Sequence, residues 1–199
     1  MPTYGILDGS TVIAGFVVPL QVKNNKPSFN NDTFSLKRVV KKRTAQRWEI
    51  ETRLEPLGRE ANDLFVHLVF NSDTEVFDIL MPQNYGVTLK RTSSSTPTAT
   101  GASGASSVVV ASNAGLIPKG TFIKFTNHPK VYLTMSDLTG NGALSIYPPL
   151  RVAVPALTGF AHRDDVKMSC RYDTDTLSGM EYQDGILMDI GTVKLVEAI

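Results

Sequence analysis

Short apolar runs, each cut off within a few residues by Gly, Pro, Asn, Asp or Ser, dominate this sequence, and that punctuation limits the fold more than any other feature. Such runs suit strands bounded by turns, so an all-β or mostly-β protein is expected. Val108 to Ala111, Thr121 to Thr126, Val131 to Met135 and Ala143 to Tyr147 are the clearest of them. Asn113-Ala114-Gly115, Pro118-Lys119-Gly120, Asn127-His128-Pro129 and Gly140-Asn141-Gly142 punctuate them, and the last suits a tight hairpin. With Val87 to Lys90 as a fifth strand, these runs suffice to close a small barrel of the oligonucleotide/oligosaccharide-binding (OB) type. Another small β fold satisfies the same pattern.

Upstream, Arg47 to Leu54 alternates, with Trp48, Ile50, Thr52 and Leu54 on one face and Arg47, Glu49, Glu51 and Arg53 on the other. That is the pattern of a half-buried strand. Its charged face is the candidate interface toward a neighbouring subunit. One segment reads as a helix: from Pro56 onward, Leu57, Ala61, Leu64, Phe65 and Leu68 recur at helical spacing, with Pro56 suited to the first turn and Asn71 to the end. Arg91 to Ser107 turns abruptly to Ser, Thr, Ala and Gly without a large apolar residue, and reads as a flexible loop or linker. Toward the C-terminus strands continue, Asp184-Gly185 offering a hairpin turn before Ile186 to Ile190.

Composition narrows the function classes. A chain of 199 residues buries a core without disulfides, and a net charge of +1 argues against a strongly basic nucleic-acid binder. Cys170 is the only cysteine, which excludes an intrachain disulfide or a cysteine-rich zinc site and fits synthesis in a thiol-tolerant cytosol. Val12 to Leu20 is apolar, but no basic residue precedes it and Gly15 and Pro19 interrupt it, so neither a signal peptide nor a membrane span is expected.

No residue set points to catalysis. Lys37, Arg38, Lys41, Lys42 and Arg43 form a basic cluster that would attract a polyanion, yet it lacks interleaved aromatics and reads as a solvated loop or subunit contact. His67, His128 and His162 lie far apart without a second ligand at metal spacing; His67 is expected to pack beside Phe70, and His128 to sit in a turn. Cys170 reads as a buried small residue in a strand. Asp164-Asp165 and Asp173 with Asp175 do not match a calcium loop and read as solvated acids. No P-loop, nucleophile elbow, dinucleotide fingerprint or zinc-protease motif occurs.

The segment Lys119-Gly120-Thr121-Phe122-Ile123-Lys124-Phe125, then Asn127-His128-Pro129-Lys130-Val131-Tyr132, then Gly140-Asn141-Gly142 and Leu144-Ser145-Ile146-Tyr147-Pro148-Pro149-Leu150-Arg151, resembles the distal tail proteins of long-tailed bacteriophages. It is similar to the variety whose ring domain carries an inserted OB-like barrel. The Trp48 strand, the following helix and Val76 to Pro82 resemble the ring domain, and 152–199 its returning portion. Similar segments occur in baseplate ring proteins of contractile-tailed phages. The resemblance implies a mostly-β chain with a β-sandwich-like ring (belt) domain, 1–86 and 152–199, containing one helix, and an inserted barrel, 87–151. It also implies a structural virion protein, assembled after synthesis in the host cytoplasm. Its partners would be further copies in a hexameric ring, the tail tube protein, and baseplate hub or tail tip proteins. It carries over no enzymatic activity, no catalytic residue, no cofactor, no metal, no membrane and no sequence-specific nucleic acid. Two rivals stand beside it: a carbohydrate- or oligonucleotide-binding module using Phe122, Phe125, Tyr132 and Tyr147, and a peptidoglycan hydrolase, which lacks paired acids or a metal cluster.

Overall fold

The alternation through Arg47–Pro56 organises the first half of the chain. In the computed structural model, which describes residues 4–32, 38–42, 45–56, 61–70, 75–173, 181–183, 186–189 and 191–199, this strand (β5) takes β2 (Thr11–Asn25) on one edge and β18 (Thr192–Glu197) on the other, both antiparallel. β1 (Gly5–Asp8), β15 (Lys167–Tyr172) and β6 (Phe77–Leu80) continue the sheet until β6 meets β1 at Ile79 and Ile6, closing a six-stranded barrel. Ile6, Ile50, Leu54, Ile79, Met168 and Leu195 fill it. α1 (Ala61–Phe70) adds Leu64 and Leu68 to that core and leaves Phe65, Val66 and Val69 exposed. The β2–β5 register slips between Val17 and Gln21, where Pro19 has no N–H to give the ladder. The belt, expected as sandwich-like, realises its mostly-β character as a closed barrel. Pro56 ends β5, and Leu57 and Asn71 lie outside the described residues.

A second six-stranded barrel has the order β10-β11-β13-β8-β7-β14. Its strands are β7 (Thr98–Gly101), β8 (Ser107–Ala111), β10 (Phe122–Phe125), β11 (Val131–Thr134), β13 (Gly142–Tyr147) and β14 (Val154–Ala161). Inward residues Val108, Val110, Ile123, Phe125, Leu144 and Ile146 make its core. β9 (Leu116–Ile117) and β12 (Leu138–Thr139) pair beside it.

Three expectations are corrected here. Val87 to Lys90 is not a strand but most of α2 (Tyr85–Lys90), because the Asn84 side chain caps the turn by accepting from the Gly86 N–H at 2.9 Å. The Ser/Thr/Ala/Gly stretch is not a linker throughout: it contains β7, hydrogen-bonded to β8 on one side and β14 on the other. The boundary at 151/152 falls inside the second barrel, since β14 belongs to it. Gly140-Asn141-Gly142 does turn the chain, with Gly140 at φ 68, but it joins β12 and β13, which pair with β9 and β8 rather than with each other.

Two further ribbons stand outside the barrels. β3 (Ser28–Asp32) and β4 (Arg38–Lys42) pair as a continuation of the β2–β5 hairpin, and β16 (Glu181–Gln183) with β17 (Ile186–Asp189) lies between β15 and β18. The expected turn at Asp184-Gly185 lies outside the described residues. Among the described residues no helix is long and apolar enough to cross a membrane.

Candidate functional site at the barrel junction

Glu197 closes β18 on the same parity as Val193 and Leu195, so the pleat carries its carboxylate inward. There it meets the second barrel. Glu197 Oε1 accepts from the Val131 N–H at 2.8 Å, Oε2 accepts from the Trp48 N–H at 3.0 Å, and the carboxylate pairs with the ammonium of Lys130. Lys130 is 1% exposed and Glu197 3%, so neither charge is hydrated and each satisfies the other. Burial pushes the Lys130 ammonium below its ordinary value, and the Glu197 carboxylate pushes it back up. The Lys130 Nζ also lies 5.9 Å from the centre of the Trp48 ring.

Trp48 completes the clasp. Its indole Nε1 donates to the Val131 carbonyl at 2.9 Å, and its ring meets Phe122 and Tyr147 edge-on at 5.4 and 6.3 Å. Trp48 thus reaches the other barrel while belonging to the same core cluster as Leu64 and Leu68 of α1. Gln83 supplies a second clasp: its Oε1 accepts from the Phe122 N–H at 3.0 Å and its Nε2 donates to the Phe122 and Arg163 carbonyls. The segment Asn127 to Tyr132 is held in turn by the His128 Nε2 to Tyr132 hydroxyl bond of 2.8 Å, and that hydroxyl accepts from the Arg151 N–H at 3.1 Å.

The charged face of β5 is stitched within the chain. Glu49 is buried and accepts from Asn25 Nδ2 at 2.6 Å and Arg47 Nε at 3.0 Å. Burial raises its pKa, but those two bonds and the charge of Lys194 outweigh it and hold the carboxyl below its ordinary value. Glu51 pairs with Lys23, Arg47 lies 3.9 Å from Asp173, and Lys194 pairs with Asp173. Arg53 is exposed near the other end of the strand. The four candidate interface residues thus sit on one face in a cross-strand charge array, most of it compensated by β2, β18 and Asp173.

The residues screened for chemistry lie apart. His67 packs edge-on to Phe77 at 4.8 Å, and the Phe70 side chain expected beside it lies outside the described ones. Burial pushes the imidazoles of His67, His128 and His162 down. Cys170 is buried on β15, where burial pushes its thiol well up and its Sγ faces the Phe77 carbonyl at 3.5 Å. Asp164 is 3.5 Å from Arg91, and the Asp165 carboxylate accepts from the Arg163 N–H. Lys37, Arg43 and Asp175 lie outside the described residues. Among the described residues no group of three or more His, Cys, Asp or Glu is arranged to hold a metal ion.

A cleft of about 610 Å³ opens at the waist, lined by Lys26, Gln46, Tyr147, Pro148, Pro149 and Arg151 among others. Lys26 lies 4.4 Å from the Tyr147 ring centre, and among the described residues neither amide atom of the buried Gln46 has a hydrogen-bond partner. Of the junction residues, Glu197 and Gln83 carry no motif, and Lys130 is marked only as part of the Asn127 to Tyr132 segment of the resemblance. Only the inward parity of Glu197 in an apolar strand signals that a buried cation must exist somewhere to meet it. No protein-family model matches this chain, and no curated protein matches it in sequence.

Proposed function

We propose that the chain is a structural ring subunit of a bacteriophage tail, a distal tail protein that joins the end of the tail tube to the tip or baseplate. The observation that carries this reading is that the Asn127 to Tyr132 segment, central to the resemblance, is the segment that clamps the second barrel to the first through Lys130, Val131, Trp48 and Glu197. A subunit that passes mechanical load from tube to tip needs its two halves held in one orientation. A dry ion pair with every carboxylate oxygen bonded supplies that directional constraint. Catalysis finds little support, since His67, His162 and Cys170 are buried and His128 is tied to Tyr132. The binding-module rival has less to build on: Phe125 and Tyr132 are core residues and Phe122 packs on Trp48, leaving Tyr147 as the one of the four that lines the waist cleft.

The test is twofold. The purified chain is expected to have the mass of a closed ring, a hexamer, in solution, and antibody against it is expected to label phage particles at the distal end of the tail. A chain that remains monomeric at every concentration, with no label on the tail, overturns the assignment.

A further inference from the structure

We propose that the waist between the two barrels is a docking furrow for an extended acidic peptide segment of a partner protein. This goes beyond the ring reading, because it concerns what the waist of a single copy takes up.

The furrow is continuous. The cleft of about 610 Å³ shares Gln46 and Arg151 with a hollow of about 300 Å³, and that hollow shares Arg47 and Ile199 with a third of about 530 Å³, which Pro129 and Arg171 also line. Both barrels contribute to its walls, Arg47 and Arg171 from the first and Tyr147 from the second.

Its charge is one-sided. Lys26, Arg151, Arg47 and Arg171 stand along it, and among the described residues its one acidic side chain is Glu197, which is buried and neutralised by Lys130. Arg47 is answered by Glu49. Lys26, Arg151 and Arg171 have no ion-pair partner among the described residues. The whole chain is nearly balanced, with 20 Lys and Arg against 19 Asp and Glu, so uncompensated cations gathered in one furrow invite an acid from outside. One of them is held in place: Lys26 lies 4.4 Å from the centre of the Tyr147 ring, and the Tyr147 hydroxyl accepts from Asn24 Nδ2 at 3.2 Å.

The lining favours a peptide read through its side chains. Tyr147 is the only aromatic residue along the furrow among the described residues and already carries Lys26, so bases find no stacking platform. Strand addition is closed on this wall as well. Pro148 and Pro149 have no N–H, and those of Gly104, Leu150 and Arg151 are bonded to the Leu150 carbonyl, the Ala105 carbonyl and the Tyr132 hydroxyl. Guanidinium and ammonium groups remain for carboxylates, and the Gln46 amide for a main-chain amide. Both polar atoms of that amide are shut inside the wall without a partner among the described residues. A peptide group matches it donor to acceptor and acceptor to donor, and the bonds gained favour the side-chain rotation that brings it out.

Fluorescein-labelled hexaglutamate, titrated by anisotropy with the full-length protein at low salt, tests this, with circular dichroism melts to establish folding. The parent is expected to bind it, Lys26→Glu/Arg151→Glu to bind at least about tenfold more weakly, and the milder Lys26→Gln/Arg151→Gln to bind more weakly than the parent. Lys90→Glu/Lys119→Glu changes the net charge equally at exposed sites outside the furrow and is expected to bind as the parent does. Gln46→Leu is expected to melt no lower than the parent, since no bond is lost, and to bind more weakly. Failure of the folded parent to bind overturns the proposal. A Lys90/Lys119 control as weak as the furrow reversal also overturns it, by reducing the effect to overall charge. Tighter binding of trigalacturonate or of single-stranded oligothymidylate makes the furrow a saccharide or nucleic-acid site and sinks the peptide. A Gln46→Leu chain that melts lower, or binds as the parent does, removes the main-chain contact. None of these outcomes touches the hexameric mass or the label on the tail, so the ring reading stands or falls separately.

Discussion

Glu197 and Lys130 together show how a single residue can commit two barrels to one orientation. The carboxylate accepts from two backbone N–H groups belonging to different barrels, Trp48 and Val131, while neutralising the lysine. Removing one partner strands the other in a dry site, which costs on the order of 3–5 kcal/mol. Glu197→Gln is therefore expected to destabilise the protein by about that amount in urea unfolding. Glu197→Gln with Lys130→Met is expected to recover part of the loss, since no buried charge remains. Glu49 behaves differently, because its stabilisation depends on pH. Its carboxyl is held below the ordinary 4.5, so the folded state binds its proton more weakly than the unfolded state does. The contribution is full above that ordinary value and is lost as pH falls through the lower folded one. Thermal melts of Glu49→Gln should consequently lose less stability on acidification across that window than the parent does.

At the scale of elements, the sequence is most legible where one face is buried and the other wet. β8 and β13 alternate in their burial as well as in composition, β5 does so except at the buried Glu49, and their expected spans differ from the observed ones by at most two residues at either end. β7 escapes such reading because its pattern is carried by Thr98, Ala99, Thr100 and Gly101 alone. The reason lies in its neighbours. A Cβ on Gly101 would lie 2.7 Å from Leu150 Cδ1 and 3.0 Å from Val108 Cγ1, so this strand must be small for the barrel to close over Leu150. Gly101→Val is expected to overpack that core and cost about 1–3 kcal/mol in a denaturant melt. A strand bonded on both sides should also resist proteases, so residues 98–101 are expected to remain uncut in limited proteolysis. α2 was hidden for a different reason: β-branched Val87 and Thr88 suggest a strand, and the decisive feature is the side chain of Asn84 before them. The junction was the least legible part, because Glu197, Gln83 and Lys130 are distant in sequence and only the closed barrels bring them together.

Across the whole molecule, each barrel has its own core, but strand residues of the second also enter the core of the first. Phe122, Val131, Leu133 and Tyr147 come from strands of the second barrel, yet they pack in the core built around Trp48 and Ile50 of the first. Shared core residues couple the stability of the two units, so the chain should unfold in one transition rather than two. Trp48 reports on this directly, since it is the only tryptophan and lies at the seam. Its fluorescence and the far-ultraviolet circular dichroism of all the strands are expected to change at the same urea concentration. Gln83→Ala probes the seam without disturbing that reporter. The change leaves the Phe122 N–H and C=O without the partners they had and should cost about 1–3 kcal/mol. If the seam is part of the cooperative unit, both signals move together to lower urea in the variant. If the fluorescence moves ahead of the circular dichroism, in the parent or in Gln83→Ala, the barrels are instead separable bodies joined by a soft hinge. A ring built from them would then have no fixed angle between its inner and outer parts.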